Sequence, residues 1–525
     1  MRFWPTAFAV LLCVSPLAAA PDERIALPAL LGALDAAVVA AKAGAGAATV
    51  LTDLHNAVGL APVQVPPLLT ASHRFPIAPA LVVEHGELQI ALTQLAILEG
   101  ANDQIKVLRA QNGAGDAILI RSGFGTLADV AAAVAAQGLA GMTQQAGRWQ
   151  LTRPLVIWEG AGLRLQPGET LEMNTQTGAF LISFGQLHIA KAQVSASSGN
   201  NLGNAGFKPF VLVVGQGTLT AQGATFRGLG MAGTSFFSGV AVSSQGLFPP
   251  EFPPAITTSR FDDVAQLMLS GTDGGLIAQN TFINARSGAI TLSGTTNSRI
   301  SANSIIAAQG GPAIRVENAA KTTVVDGNLV VAAGQNGMQI GGNSSDLQIL
   351  GNAVLDSLGS GIAVQRTSCV AMIGNTIARS GGTGLRLNEV GHMAGIANII
   401  VLNQGAGVAV NGQLRNHPVK FVKNLLIGNR VGFDGAAIGA VQLAANDLDA
   451  QLPRLFGGEF SQHLPAFLTA SEQQGAALFQ IAAPATGIEK VAYENFSLAK
   501  AAEKTPVPPQ TPTVTVSTAC AKDQN

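Results

Sequence analysis

The chain has 525 residues, of which 12% are charged, 47% are hydrophobic and 61 are glycine, and its formal net charge is −1. This composition excludes a disordered chain, which carries more charge and fewer apolar residues, and a typical nucleic-acid-binding protein, which has a basic surplus. Low charge, many glycines, and only one Tyr and three Trp indicate a large, repetitive β interior.

The first twenty residues have the pattern of a secretory signal. Arg2 supplies a positive start, an apolar stretch follows to residue 14, and small residues occupy positions 18–20. Cleavage after Ala19 or after Ala20 fits equally well. No later apolar run is long enough to span a bilayer, so we expect a periplasmic or secreted mature chain without a membrane span.

Residues 21–150 read as a mixed N-terminal region that we expect to cap the following repeat. Helical spacing covers residues 27–58 and about 126–136, and Gly138 follows the second of these segments. Short strand-like runs occupy residues 81–83 and 88–90 between them.

Residues 151–450 are a repeat of short strands broken by Gly and Asn. Gly followed by a small apolar strand recurs at Gly337, Gly361, Gly384 and Gly407, in phase with a longer series of Asn residues. The Asn spacings are 23, 25, 24, 23, 23 and 26 residues, at Asn280, Asn303, Asn328, Asn352, Asn375, Asn398 and Asn424. No unit has room for a helix, and the Leu pattern of leucine-rich repeats is absent. The repeat therefore predicts an all-β chain folded as a right-handed parallel β-helix.

The Asn positions are predicted to be corners of the coils. Asn tolerates left-handed backbone angles, and stacked Asn side chains can bond to one another along the axis. We therefore interpret this series as scaffold and not as a binding site.

The end of the chain divides into a C-terminal cap at residues 451–500 and a disordered tail at 501–525, which is rich in Pro and Thr. Cys369 and Cys520 are far apart, so no structural disulfide is expected. The cysteines and the histidines of the repeat lack metal-ligand spacing. No metal or other cofactor is predicted.

Three arginines are predicted at outward positions of different coils. Arg315, Arg366 and Arg386 lie in strand-like segments one or more coils apart, where cations can follow the carboxylates of an acidic polysaccharide. Ordinary solvation of an exposed strand explains them equally well. Residues 159–450 contain neither Trp nor Tyr, which argues against a tight sugar groove.

The segment 178–263 contains phrases that interrupt the repeat. They include Gly185-Gln-Leu-His-Ile, Phe207-Lys-Pro-Phe-Val-Leu, Ser238-Gly-Val-Ala-Val-Ser and Ser259-Arg-Phe-Asp-Asp. In this order and spacing the segment resembles the periplasmic mannuronan C5-epimerases of alginate biosynthesis, and the resemblance extends to about residue 450. It implies a β-helix that holds an acidic polymer in a groove and moves a proton at C5.

The same resemblance implies a catalytic base that this chain does not retain. The family carries a Gly-Ile-Asp-Pro-His-Asp motif, and the matching segment here is 287–294, with Thr291, Ser293 and Gly294 at the positions of the acidic residues and the histidine. The groove arginine of the family corresponds to Glu317, with Arg315 two residues earlier. Thr, Ser and Gly do not supply a general base near neutral pH.

Three residues are the remaining candidates for catalysis. His392 is an imidazole about four coils further along, near Arg386. Arg260 and Asp263 match the acidic phrase of the family, although an ion pair that closes a coil corner explains them as well.

Three functions fit these observations. The first is an exported β-helix that binds or escorts an acidic, alginate-like exopolysaccharide, in contact with export machinery and with epimerase activity lost or altered. The second is an active polyuronate C5-epimerase or lyase with a relocated base. The third is a surface β-helix without a sugar ligand.

Overall fold

A computed structural model of the chain describes residues 27–57, 80–100, 103–111, 115–231, 233–245, 249–413, 417–474 and 478–481. The predicted signal at 1–20 and the predicted tail at 501–525 lie outside these residues, as does the final part of the predicted cap.

Each coil has three flat faces, which the chain visits in the order face 1, face 2, face 3. Face 1 contains the strands Leu155–Ile157, Leu181–Ser183, Val211–Val214, Gly239–Ser243, Gln266–Ser270, Ile290–Ser293, Ile314–Glu317, Met338–Ile340, Ala406–Asn411, Val431–Ala436 and Arg454–Phe456. Face 2 contains Ala161–Leu165, Gln186–Ala190, Thr218–Gln222, Ala255–Thr257, Leu276–Ala278, Arg299–Ser301, Val324–Asp326, Ser345–Leu350, Val419–Val422 and Val441–Ala444. Face 3 contains Arg148–Leu151, Thr170–Met173, Gln193–Ala196, Thr225–Arg227, Arg260–Asp262, Thr281–Ile283, Ser304–Ile306, Leu329–Val331, Ala353–Leu355, Thr376–Ala378, Ile399–Val401, Leu425–Ile427 and Asp447–Asp449. Three long strands continue from face 1 into face 2: Asp116–Thr126, Ile362–Ile373 and Leu385–Ile396.

The strands of each face pair in parallel with those of the neighbouring coils, which confirms the predicted parallel β-helix. About 13 coils are stacked. Faces 1 and 2 form one 26-stranded sheet, and face 3 belongs to a 14-stranded sheet. Antiparallel strands add to these sheets near the two ends, at Val82–Glu87, Met142–Gln145 and Leu478–Ile481.

The repeated Asn residues stack inside the corner between face 2 and face 3. The side-chain amide of each donates to the side-chain oxygen of the next at 2.8–2.9 Å, and that oxygen also accepts a main-chain N–H. The members of this Asn ladder are Asn280, Asn303, Asn328, Asn352, Asn375, Asn398, Asn424 and Asn446. The ladder satisfies buried polar groups that no water reaches.

The left-handed backbone of this corner does not belong to the Asn residues, so that part of the expectation is wrong. The residue before each Asn carries it: φ is 57° at Gln279, 53° at Ala302 and 51° at Ala397. Asn is required at the next position for its amide, which both donates and accepts.

Two helices cover part of face 3 from outside. Helices α1 (Leu27–Lys42) and α2 (Ala47–Ala57) bury Leu34, Val38 and Leu51 against outward residues of face 3 such as Leu355 and Val401. Arg379 joins the two parts, since its guanidinium contacts Asp35 of α1 and donates to Asp356 Oδ1 at 2.7 Å. These helices therefore pack on the side of the β-helix.

Another helix covers the first coils of face 1. Helix α3 (Leu88–Glu99) begins where the sequence suggested a strand at 88–90. Leu88, Leu92 and Leu95 repeat at helical spacing and are at most 2% exposed, so burial on one side of a helix decides the local structure. The short helix α4 (Gln104–Arg109) packs beside it through Val107.

The two ends of the β-helix are covered by other elements. Helix α5 (Leu127–Ala136) begins at a capping box made by Thr126 and Asp129, and it buries Val130 and Val134 in the main core. At the other end, a 3-10 helix (Gly458–His463) and helix α6 (Leu464–Gln474) follow the last coil. The rings that close the core there are Phe433, Phe456, Phe460, Phe467 and Phe479.

Cys369 departs from the sequence expectation. It is 7% exposed and disulfide-bonded. Separation along the sequence is a poor guide here, because a folded chain can bring distant cysteines together.

None of the helices in the described part of the chain is both long and apolar enough to cross a membrane.

The Asn ladder generates a first prediction. Asn352→Ala removes the acceptor of the main-chain N–H and side-chain amide of Asn328, and it removes the side-chain donor to Val325 O and Asn375 Oδ1. Because these groups are buried, we expect the free energy of unfolding to fall by at least about 3 kcal/mol in urea titrations.

Asn446→Ala is the matched control, since Asn446 ends the ladder and is partly exposed, so water can replace its bonds. Its expected loss is about 1 kcal/mol. Equal losses in the two variants would contradict a special role for the buried ladder.

Candidate functional site

One outward-facing row of residues runs along the whole of face 1. Parallel pairing places its members directly above one another, about 4.8 Å apart. In order they are Val156, Ile182, Leu212, Ala241, Met268, Thr291, Arg315, Gln339, Ala363, Arg386, Ala409 and Asp434. We call this row the face 1 column. Its first five members are apolar and most of the others are polar.

The apolar half of the column lies under α3. Ile182, Leu212 and Met268 share an external cluster with Leu92 and Leu95 of the helix. Their burial explains why the sequence there is apolar on both sides of the strand. This half of face 1 is not available to a ligand.

The polar half of the column begins at Thr291, and from Arg315 onwards all its members except Ala409 are at least partly exposed. The Thr291 hydroxyl donates to Gln266 Oε1 at 3.2 Å and is largely buried. The Arg315 side chain is 34% exposed, and its guanidinium lies 3.9 Å from Glu317. Arg386 is exposed and makes no ion pair within the described residues.

A second outward row lies beside the column and is mostly polar in this half. Asn318 Nδ2 donates to Ser293 Oγ at 2.8 Å at its start. Its members in successive coils include Ser270, Ser293, Glu317, Gln365, Asn388 and Asn411. This row offers hydroxyl and amide groups as donors and acceptors, and it places the carboxylate of Glu317 beside Arg315.

The predicted binding arginines are brought together only in part. Arg315 and Arg386 belong to the face 1 column. Arg366 lies at the corner between face 1 and face 2, where φ is 47°, and Glu389 holds the equivalent position one coil further on. Arg366 therefore borders the column without belonging to it.

His392 lies beyond that corner, on the face 2 half of its strand. Its ring packs against the ring of His417 in the next coil, with centroids 4.4 Å apart. Arg386 is on the same strand but on the other side of the corner at Glu389. The structure does not place this imidazole on the face 1 column.

Arg260 and Asp263 lie on and just after a strand of face 3. Asp262 is 3.5 Å from Arg260 and 3.8 Å from Arg227, while Asp263 accepts from Arg286 Nε at 3.0 Å. Arg286 also donates to Leu229 O and Gly230 O, and so ties a corner together. These contacts match the corner interpretation, and neither residue approaches His392.

The segment that matches the family's catalytic motif lies on the column and beside it. Thr291 and Ser293 point outward, and Gly294 lies at the following corner with φ of 60°. Glu317 pairs in register with Ser293 one coil away. The position at which the resemblance implies a base thus holds hydroxyl groups, which stay neutral over the physiological pH range.

Glu99 is a buried carboxyl that the sequence did not reveal. It ends α3, is 8% exposed, and accepts a hydrogen bond from Ser243 of face 1. Burial raises the pKa of Glu99, and hydrogen bonds from Ser243 and the Gln245 main chain oppose this rise. A Glu at the end of an apolar helix gives no sequence signal of burial. Gln339, by contrast, could have been identified as a member of the face 1 column by adding one repeat to Arg315.

The described residues contain no group of three or more His, Cys, Asp or Glu that could hold a metal ion. The polar half of face 1 offers hydroxyls, amides and guanidinium groups, together with the carboxylates of Glu317 and Asp434. The hydroxyls, amides and guanidinium groups can bind an anionic, hydrogen-bonding ligand.

Comparisons with known proteins agree with this architecture. A family model described as a right-handed β-helix region matches residues 187–354. A crystal structure of a point mutant of the periplasmic alginate epimerase AlgG is similar, with a TM-score of 0.54 and 17% identity, and the match covers 75% of this chain and 98% of that chain. The unmutated AlgG structure gives a TM-score of 0.52 and 16% identity, with 75% and 98% covered.

These similarities establish the right-handed parallel β-helix fold predicted from the repeat. A search of curated proteins by sequence finds no match.

The buried carboxyl generates a second prediction. The pKa of Glu99 is raised above its ordinary 4.5 in the folded chain, so the unfolded chain loses its proton first as the pH rises. Stability should therefore fall as the pH rises from about 4.5 through the raised pKa, and Glu99→Gln should remove this fall. Melting temperatures of both proteins across this pH range test it.

Below pH 4.5 the two proteins should differ little in pH response, because the carboxyl is protonated in both states. A difference in melting temperature that stays constant from acidic to neutral pH would contradict the assignment.

Proposed function

We propose that this chain is an exported β-helix protein that binds an acidic exopolysaccharide along the polar half of face 1, without C5-epimerase activity. The observation that carries the proposal is the pair of outward arginines, Arg315 and Arg386, in one straight column beside a mostly polar row. Guanidinium groups form strong charge-assisted bonds with carboxylates, so a uronate chain is the ligand class that fits.

The similar structures support the same ligand class. They belong to a periplasmic alginate epimerase, and this chain shares their fold over three quarters of its length. The column of this chain holds Thr291 where the resemblance to the C5-epimerases implies an acidic group. C5 inversion requires removal of a proton next to a carboxylate, which needs a base at that place. A chain that shares this fold but has no base at that position favours binding over turnover.

An extracytoplasmic location fits two further observations. Residues 1–20 have the signal pattern, and Cys369 is disulfide-bonded, which is typical of oxidising compartments. A polymer-binding protein in the periplasm would escort its ligand towards an export machinery, which is the partner that we propose.

Loss of the two arginines should weaken binding. We expect Arg315→Ala and Arg386→Ala each to raise the Kd for polymannuronate about threefold to tenfold, because each removes one guanidinium–carboxylate contact. Affinity gel electrophoresis and calorimetry at low salt measure this, and binding should weaken as salt screens the charges.

Arg260→Ala is the matched control, since it removes an exposed arginine from face 3 with the same change in net charge. Its Kd should equal that of the unchanged protein. Equal losses in all three variants would point to non-specific charge attraction and would overturn the face 1 site.

A separate assay tests catalysis. Incubation of the mature protein with polymannuronate should give no inverted C5 centres in the NMR spectrum and no new unsaturated chain ends. Measurable turnover would refute the non-catalytic proposal. His392→Ala and Glu317→Gln would then be assayed, and the substitution that abolishes turnover would identify the relocated base.

A further inference from the structure

The exposed part of the face 1 column is closed at its N-terminal end. Met268, the last apolar member, is 4% exposed beneath the cluster made with α3. Beside it, Ser270 Oγ accepts from Gln245 Nε2 at 2.9 Å, so this serine is also covered. Glu99 holds the end of α3 to face 1 through Ser243. A ligand lying on the column cannot continue past this point.

One carboxylate ends the column at its C-terminal end, and a second lies beside it in the next coil. Asp434 follows Ala409 in register and is partly exposed, with its Oδ1 accepting from Gly435 N at 2.9 Å. In the next coil, the exposed Glu459 accepts from Ala437 N and Ile438 N at 2.8 and 3.0 Å. An anionic ligand that extends in this direction therefore meets two negative groups, which repel it.

The cations lie between these two ends at a defined separation. Arg315 and Arg386 are three coils apart, with Gln339 and Ala363 between them. Three coils correspond to about 14 Å at ~4.8 Å per coil. Arg366 borders the same stretch, in the coil of Ala363. All three arginines thus fall within a segment about 14 Å long.

From these boundaries we infer that face 1 recognises a short segment of an acidic chain, with carboxylates spaced to reach both Arg315 and Arg386, and does not hold a long polymer along its whole length. This inference rests on the proposed function and adds to it the length and charge spacing of the ligand. A bounded site fits a chain end or a short oligouronate, because a longer chain gains no contact beyond α3 and meets repulsion at Asp434.

A length series of oligouronates tests the inference. Calorimetry with oligomannuronates from the disaccharide upwards should show affinity rising until one oligomer reaches both arginines, and then a plateau. In a double-mutant cycle, Arg315→Ala and Arg386→Ala should each weaken the binding of plateau-length oligomers. The shortest oligomers reach only one arginine, so at most one of the two substitutions should weaken their binding. Affinity that keeps rising with length would overturn the bounded site.

Asp434→Asn tests the C-terminal boundary directly. The amide keeps an oxygen that can accept from Gly435 N, so the fold should be retained, as an unchanged melting temperature would verify. We expect oligomers longer than the plateau length to bind about threefold more tightly to this variant, and plateau-length oligomers to bind unchanged. An identical response at every length would refute repulsion at this end.

The two proposals fail in different ways. If polymer and oligomers bind but show no plateau, the bounded site is wrong and polysaccharide binding stands. If no uronate of any length binds, the proposed function is wrong and the bounded site falls with it.

Discussion

The in-register stacking of coils is the constraint on which the rest of this molecule depends. Parallel pairing sets each residue about 4.8 Å from its equivalent in the next coil, so a single substitution changes contacts with the coils above and below. The interior accepts this repetition where apolar side chains stack, as Phe226, Phe261 and Phe282 do. Polar groups at the inner corners are harder to accommodate. Asn meets that need because its amide donates to one coil and accepts from another, which turns a buried polar row into a continuous chain of hydrogen bonds.

The same stacking converts a sequence period into a surface. Residues separated by one repeat form straight columns, so charges that look scattered in the sequence become aligned on a face. Which columns remain available depends on the helices. Helix α3 covers the first coils of face 1, and α1 with α2 covers part of face 3. The outward side chains under these helices are apolar, so on face 1 the surface left for a polar ligand is the second half.

The chemistry of that surface favours recognition over turnover in our proposal. Thr291 and Ser293 can donate and accept hydrogen bonds, but they do not take a proton from carbon near neutral pH. The imidazoles that could do so, His392 and His417, pack on each other beyond the corner at Glu389. The carboxyl with the raised pKa, Glu99, is buried where α3 meets face 1 and is hydrogen-bonded to Ser243. None of these three groups lies on the open part of the column. The carboxylates there are Asp434, at its C-terminal end, and Glu317, beside Arg315.

The sequence alone determined the β-helix, because a period of about 24 residues with Asn and Gly at constant phase has few structural solutions. It also identified Arg315 and Arg386 as outward residues, since alternation along a strand is a local property.

Tertiary structure decided the rest. The helix at Leu88–Glu99, the burial of Glu99 and the sideways packing of α1 and α2 depend on contacts between segments far apart in the chain. The position of Arg366 and His392 around a corner depends on left-handed backbone at Arg366, Glu389 and His392. Those angles arise from how each coil closes on its neighbour, which no short stretch of sequence encodes.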